Sequence, residues 1–176
     1  SRSNHGLNER VTTTILNFIT FLPLMHDAKK RAQQHFDAAH HFLHNTYPLL
    51  KDPKLLLGIF SNISKSLEAS MEAILLHGRA NHYIPAFGDN FTHKWHAFSK
   101  YAVPKHHIAG EFTTMVMDLN RIRDLHDKSP VEFPRREKLV ICNEEYDITT
   151  LSAKEAHLSL NKARELLEKT EEILKS

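Results

Sequence analysis

The run Asn120-Arg121-Ile122-Arg123-Asp124-Leu125-His126-Asp127 places an arginine five residues before a histidine. Arginine keeps its charge at any ordinary pH, and histidine titrates near neutrality. Metal-free RNA cleavage needs a base for the ribose 2′-hydroxyl, an acid for the leaving oxygen and positive charge on the phosphate. Arg121 would hold the non-bridging oxygens in its rigid fork, and His126 would move the proton. Asn120, Arg123 and Asp124 are secondary candidates for positioning the pair. On a regular helix, residues five apart point about 140° apart. Arg121 and His126 therefore converge only if the helix bends or ends near His126, or if two copies share a composite site. Arg123 and His126, at i and i+3, are the closer pair on a straight helix. Asp127 lies four residues after Arg123 and Asp118 three before Arg121, so the run also reads as a salt-bridged helix face.

Two other groups of residues carry chemical potential. Lys94, Trp95, His96, Phe98, Lys100, Tyr101 and Lys105 interleave cations with aromatic rings. Rings that stack bases beside cations that meet phosphate suit single-stranded RNA, with Lys94, Trp95, Lys100 and Lys105 as the contacts. The same spacing also describes a packed aromatic face flanked by solvated lysines. His35, Asp37, His40, His41 and His44 form the third group. His40 and His44 are four apart and are able to ligate a metal from one helical face, with His93, His96, His106 or His107 completing it. No Glu lies between them, and the Glu-x-x-His unit of di-iron bundles is absent, so surface or half-buried histidines are the expectation and no metal or cofactor is assigned. Glu68 and Glu72 are four apart, but no partner carboxylate or nucleophile singles them out.

The elements that must position these residues are helical. Only 5 glycines in 176 residues argue against Gly-rich phosphate loops and β-sandwiches, and a charge of +2 is too small to imply nucleic-acid binding by itself. Cys142 is the single cysteine, which excludes an intramolecular disulfide and fits a reducing compartment; its apolar neighbours imply a buried, inert thiol. No secretory leader opens the sequence, and no apolar run approaches the roughly 20 residues that span a bilayer. The expectation is one cytoplasmic helical domain over residues 1–176, with no membrane contact.

Val11, Ile15, Phe18 and Leu22 recur at helical spacing until Pro23, which should interrupt them. A second helix is predicted from about Leu24 to Tyr47, with Ala28, Ala32, Phe36, Ala39, Leu43 and Thr46 on one face. Asp52 is a natural N-cap and Pro53 fits a first turn. The helix that follows runs to about His77 on Leu56, Phe60, Ile63, Leu67, Met71 and Ile74, with Gly78 as its stop. Pro85, Gly88 and Asp89 mark a loop, and a short helix covers Thr92 to Tyr101. Pro104 should open a longer helix whose stripe, Ile108, Phe112, Met115, Leu119 and Ile122, extends by four to bring His126 inward. Ser129-Pro130 and Pro134 end it. Two β-rich runs about a polar turn, residues 138–149, predict a small hairpin or extended arm lying on the bundle. Ser152 to Glu155 has the capping-box pattern and launches a last helix on Ala156, Leu160, Ala163, Leu167 and Leu174.

With its Arg121-x4-His126 motif late in a helix, the chain resembles the HEPN superfamily of helical domains. The segment Tyr146-Asp147-Ile148-Thr149, the Ser152 cap and the helix through Ala163-Arg164-Glu165-Leu166-Leu167-Glu168 extend the resemblance over about residues 50–174. Many members follow the motif with an extended or Tyr-containing segment and such a helix. Ile122 departs from the Asn or Asp that often follows the motif arginine, and the Lys138–Thr149 insertion is longer than in minimal members. The resemblance implies an antiparallel all-α bundle, a homodimer, and RNA binding or metal-independent RNA cleavage. It equally implies the other roles of that superfamily, a non-catalytic interaction module that partners a nucleotidyltransferase or an antitoxin. A histidine-based metal-binding bundle is a third option.

Overall fold

The computed structural model describes residues 2–128 and 131–176, and the backbone alone at residues 2–5 and 7. It is a helical bundle carrying a small antiparallel sheet. Helix α1 (Arg2–His41) continues through a π-helical turn, Phe42–Thr46, into a short α2 (Tyr47–Leu50). The central helix α3 (Leu55–Ala80) follows, then α4 (Phe91–Ala97), a second π-helical turn Phe98–Ala102, and a short α5 (Val103–His106). Helix α6 (Gly110–Lys128) leads into strands β1 (Val131–Arg135), β2 (Lys138–Cys142) and β3 (Ile148–Ser152), and α7 (Ala153–Lys175) closes the bundle.

The apolar periodicity explains the packing. Ala28, Ala32, Phe36, Ala39 and Leu43 of the first helical stretch are buried, as are all six predicted stripe residues of α3 from Leu56 to Ile74. Each large aliphatic side chain so buried stabilises the fold by roughly 1.5–3 kcal/mol. The core runs on through Phe98, Phe112, Val116 and Leu119 to Leu160, Leu166 and Ile173 of α7. Ser152 and Glu155 form the capping box at the start of α7, with the Ser152 backbone N–H donating to Glu155 Oε2 at 2.9 Å. Asp52 accepts from the Lys54 backbone N–H at 3.0 Å and so starts the turn before α3.

Several local expectations are corrected. Pro23 sits inside α1 rather than between two helices. A proline removes one N–H and crowds the preceding turn, and α1 nonetheless continues past it to His41. Gly78 does not stop α3: it lies inside the helix, and its missing side chain makes room for Ile84 and Tyr83 of the returning loop. Their backbone N–H groups both donate to the Gly78 carbonyl. Pro104 belongs to the short α5, whose end at His107 is left-handed (φ 51°), and the longer helix begins afresh at Gly110. The Ser129-Pro130 stop lies outside the described residues.

Pro134, the other expected stop, lies within β1, so the predicted hairpin is two strands of a three-stranded sheet ordered β1-β2-β3. An edge strand tolerates a proline because one side of its backbone needs no ladder partner. Both pairings are antiparallel, with Phe133 opposite Val140 and Leu139 opposite Leu151. Leu139, Ile141 and Leu151 bury one face of the sheet in the core, and the Tyr47 hydroxyl donates to the Glu137 carbonyl at 3.4 Å. Cys142 is half-buried at the end of β2 rather than sealed in the core.

Candidate functional site

Helix α6 is a regular α-helix through Lys128, so it neither bends nor ends at His126. The spacing of five then sends the two motif residues to different sides. Arg121 lines a groove of about 640 Å³ with Asp118, Thr149 of β3 and Glu155 of α7. His126 lines a separate cleft of about 320 Å³ between α3 and α6, together with Phe60, Lys65, Arg123 and Asp127. Within one chain the helix brings His126 towards Arg123 and Lys65, not towards Arg121.

His126 is nearly half exposed, and its Nδ1 lies 2.5 Å from Oε1 of Glu132 on β1. A carboxylate only accepts, so Nδ1 carries the hydrogen and the neutral ring keeps its lone pair on Nε2. The arrangement fixes the ring's tautomer and orientation, as a carboxylate does behind a working imidazole. Glu132 reaches His126 because it lies on the same face of β1 as the core-facing side of the sheet, opposite Ile141 in register. The sequence reading missed Glu132 because Pro130 and Pro134 masked the strand; the alternation of Glu132 with Val131 and Phe133 was the available signal.

Arg123 is already engaged. One terminal nitrogen donates to Glu68 at 3.0 Å and the other to Asn120 at 2.7 Å. Asn120 and Arg123 are therefore brought together, with Glu68 as a partner that no local pattern singles out. Asp124 is exposed on α6. Lys65 makes no ion pair among the described residues.

The basic-aromatic group does not form a single platform. Lys94 is turned inward to Glu72 at 3.0 Å, and Arg31 holds the other oxygen of the same carboxylate at 3.1 Å. Trp95 is partly buried, parallel to Phe91 and packed towards Phe98. Lys100 and Lys105 lie over the rings of Tyr101 and Tyr83. A different basic and aromatic surface exists on the outer face of the sheet. There Phe133, Arg135, Arg136 and Lys138 line a depression of about 750 Å³ with Val140, Ile148 and Thr150. Arg135, Arg136 and Lys138 form no ion pair among the described residues, and the adjacent Arg135-Arg136 was its legible trace in the sequence.

The histidines form two clusters. His40 stacks on His44 at 4.2 Å between ring centroids, and His157 of α7 meets His44 edge-on at 5.1 Å. Burial, then the neighbouring His44, holds His40 and His157 below the ordinary imidazole value. In the second cluster the Tyr83 hydroxyl lies 2.7 Å from Nε2 of His106 and 3.3 Å from Nδ1 of His77. Burial lowers the pKa of both histidines and raises that of Tyr83. Among the described residues no group of three His, Cys, Asp or Glu side chains is arranged to hold a metal ion.

No protein-family model, curated protein or solved structure matches the chain. Among the described residues, no helix is long and apolar enough to cross a membrane. The class defined by fold and site is thus a helical bundle with a carboxylate-oriented histidine at the mouth of a cleft.

Proposed function

We propose that this protein binds RNA and cleaves it without a metal, with His126 as the proton-transferring group. The observation that carries the reading is the His126–Glu132 pair, an exposed imidazole fixed by a carboxylate with Nε2 left available. Glu132 is a positioning residue. Lys65 supplies positive charge at the same cleft, beside Arg123, whose fork Glu68 keeps in place. Backbone phosphates would run from this cleft to Arg135, Arg136 and Lys138, since β1 connects the two sites. Phe133 offers a ring for a base beside those cations. The HEPN resemblance supports the reaction class; in this reading Arg121 serves the cleft only in an assembly of more than one chain.

The chemistry follows from the groups. Nε2 of neutral His126 takes the proton of the ribose 2′-hydroxyl, the 2′-oxygen attacks phosphorus, and the P–O bond to the 5′-oxygen of the next nucleotide breaks, that oxygen taking its proton from water. The imidazolium so formed is stabilised by Glu132, and the products are a 2′,3′-cyclic phosphate and a 5′-hydroxyl.

The test is cleavage of end-labelled RNA in EDTA. The expected result is cyclic-phosphate ends, lost in His126→Ala and reduced about 10- to 100-fold in Glu132→Gln, because a mis-set imidazole still reacts occasionally. Arg135→Ala/Arg136→Ala should weaken RNA binding and flatten its salt dependence, with the helical circular dichroism unchanged. Full cleavage by His126→Ala would discard the site, and RNA binding without cleavage in any substrate would reduce the reading to binding alone.

A further inference from the structure

At roughly 1.5 Å per residue, α1 is about 60 Å long and α3 about 39 Å, so α1 outruns its partner by about 20 Å. The two helices pack up to Met25 and Ala28, which meet Ala73, Leu76 and Ala80 at the end of α3. Phe21 and Asn17 still touch the bundle, through Arg79 over the Phe21 ring and His82 beside Asn17. On another side of the same stretch the apolar pattern continues, and its side chains stay exposed. Val11, Ile15, Phe18, Ile19 and Leu22 are between 41% and 65% exposed. At about 100° per residue they fall within an arc of about 100°, which is one helix face.

Three observations say what covers that face. The spacing of Val11, Ile15, Phe18, Leu22 and Met25 alternates four and three, the seam of a two-helix coiled coil, and its last member already lies in a helix-helix contact. From Val11 to Met25 there is no charged side chain, so two copies of the segment meet without like-charge repulsion. The hydroxyls of Thr12, Thr13, Thr14 and Thr20 donate to the carbonyls four residues back, leaving no orphan donor when the surface is dried. A helix built for an anionic lipid surface would carry Lys or Arg along its polar side, and this stretch has none. The five side chains expose on the order of 500 Å² per chain, so two copies bring together at most about 1,000 Å², the lower limit for a specific interface.

We propose that the projecting half of α1 is a self-association surface, which pairs antiparallel with the same segment of a second copy. In that pairing Val11 lies opposite Leu22, and Ile15 opposite Phe18. The inference does not depend on the RNA reading, because none of its residues borders the His126 cleft.

Sedimentation of the full chain across the micromolar range tests it. The expected species has twice the chain mass of 20.3 kDa. Ile15→Glu/Leu22→Glu should sediment as a monomer with its helical signal retained. Chains carrying Ile15→Cys and chains carrying Phe18→Cys, both with Cys142→Ser, should cross-link when mixed and oxidised, well beyond either alone. This second arm reads the contact directly even if the charged variant loses structure. A wild-type monomer throughout, a dimer unaffected by both glutamates, absent cross-linking in the mixture, or monomers captured by lipid vesicles would each overturn the proposal.

Discussion

Glu72 shows how a residue with no motif can matter more than several that look functional. Its two carboxylate oxygens bridge Arg31 of α1 and Lys94 of α4, so one side chain ties three helices together. The group is about one-fifth exposed, so its loss costs less than the roughly 3–5 kcal/mol of breaking a fully buried pair. Glu72→Ala should destabilise by about 2 kcal/mol, because Arg31 keeps Asp27 while Lys94 is left in a half-buried place without its anion. Urea unfolding should show a lower midpoint at an unchanged slope, and Glu72→Gln should recover part of the loss by keeping the hydrogen bonds. An unchanged midpoint in Glu72→Ala would remove the bridge from the account of stability. Lys94 illustrates the matching limit of sequence reading at this scale. Beside Trp95 it has the composition of a phosphate contact, and only the fold reveals that its ammonium points inward to a carboxylate 22 positions away.

Elements were legible where one local signal decided them. The α3 stripe and the Ser152–Glu155 capping box are set by periodicity and by a four-residue pattern, and both stand as read. Prolines and glycines misled because their effect depends on what packs around them. Pro48 and Pro104 each follow a π-helical turn and each precede a left-handed residue, Lys51 and His107, three positions on. The wider turn gives the proline ring room that a regular α-turn denies it, so the helix ends softly after the proline instead of before it. The two glycines of α3 make the point quantitative. A Cβ on Gly58 would meet nothing within 4 Å, whereas one on Gly78 would stand 2.4 Å from Ile84 Cδ1 and 2.9 Å from Tyr83 Cε2. Gly58→Ala should therefore stabilise by about 1 kcal/mol through helix propensity alone. Gly78→Ala gains the same propensity but must displace a buried isoleucine, an overpacking cost of about 1–3 kcal/mol, and should be destabilising on balance. Thermal unfolding of the two variants, side by side, checks the opposite signs; equal stabilisation would mean that the Ile84 loop yields freely.

Across the whole molecule, the 14 histidines that stood out in composition become a statement about pH. Composition alone counts each as a charge to be gained in mild acid, and does not tell exposed rings from rings that the fold keeps neutral. His40, His77, His106 and His157 all lie below the ordinary value of 6.5, burial being the first cause in each. A histidine lowered in the folded state binds its proton more readily when unfolded. Its contribution to stability is therefore complete above about pH 6.5 and lost as pH falls through the folded value. The best-buried pair dominates: His77 on α3 and His106 on α5 flank the Tyr83 hydroxyl, and charging both puts two cations either side of one oxygen. Lys169, Lys105 and His107 add positive charge around His106, after burial and His77. The midpoint of thermal unfolding should be flat above pH 7 and should begin to fall as pH drops below about 6.5, before most carboxylates begin to protonate. His106→Gln keeps a hydrogen-bonding group beside Tyr83 but cannot charge, so it should flatten that fall without much change at pH 8. His44→Gln, which removes the neighbour that acts on both His40 and His157, should have the smaller effect because those rings are less buried. Equal slopes in the wild type and His106→Gln would show that the acid sensitivity arises elsewhere, and a stability that rises on acidification would reverse the sign of the argument.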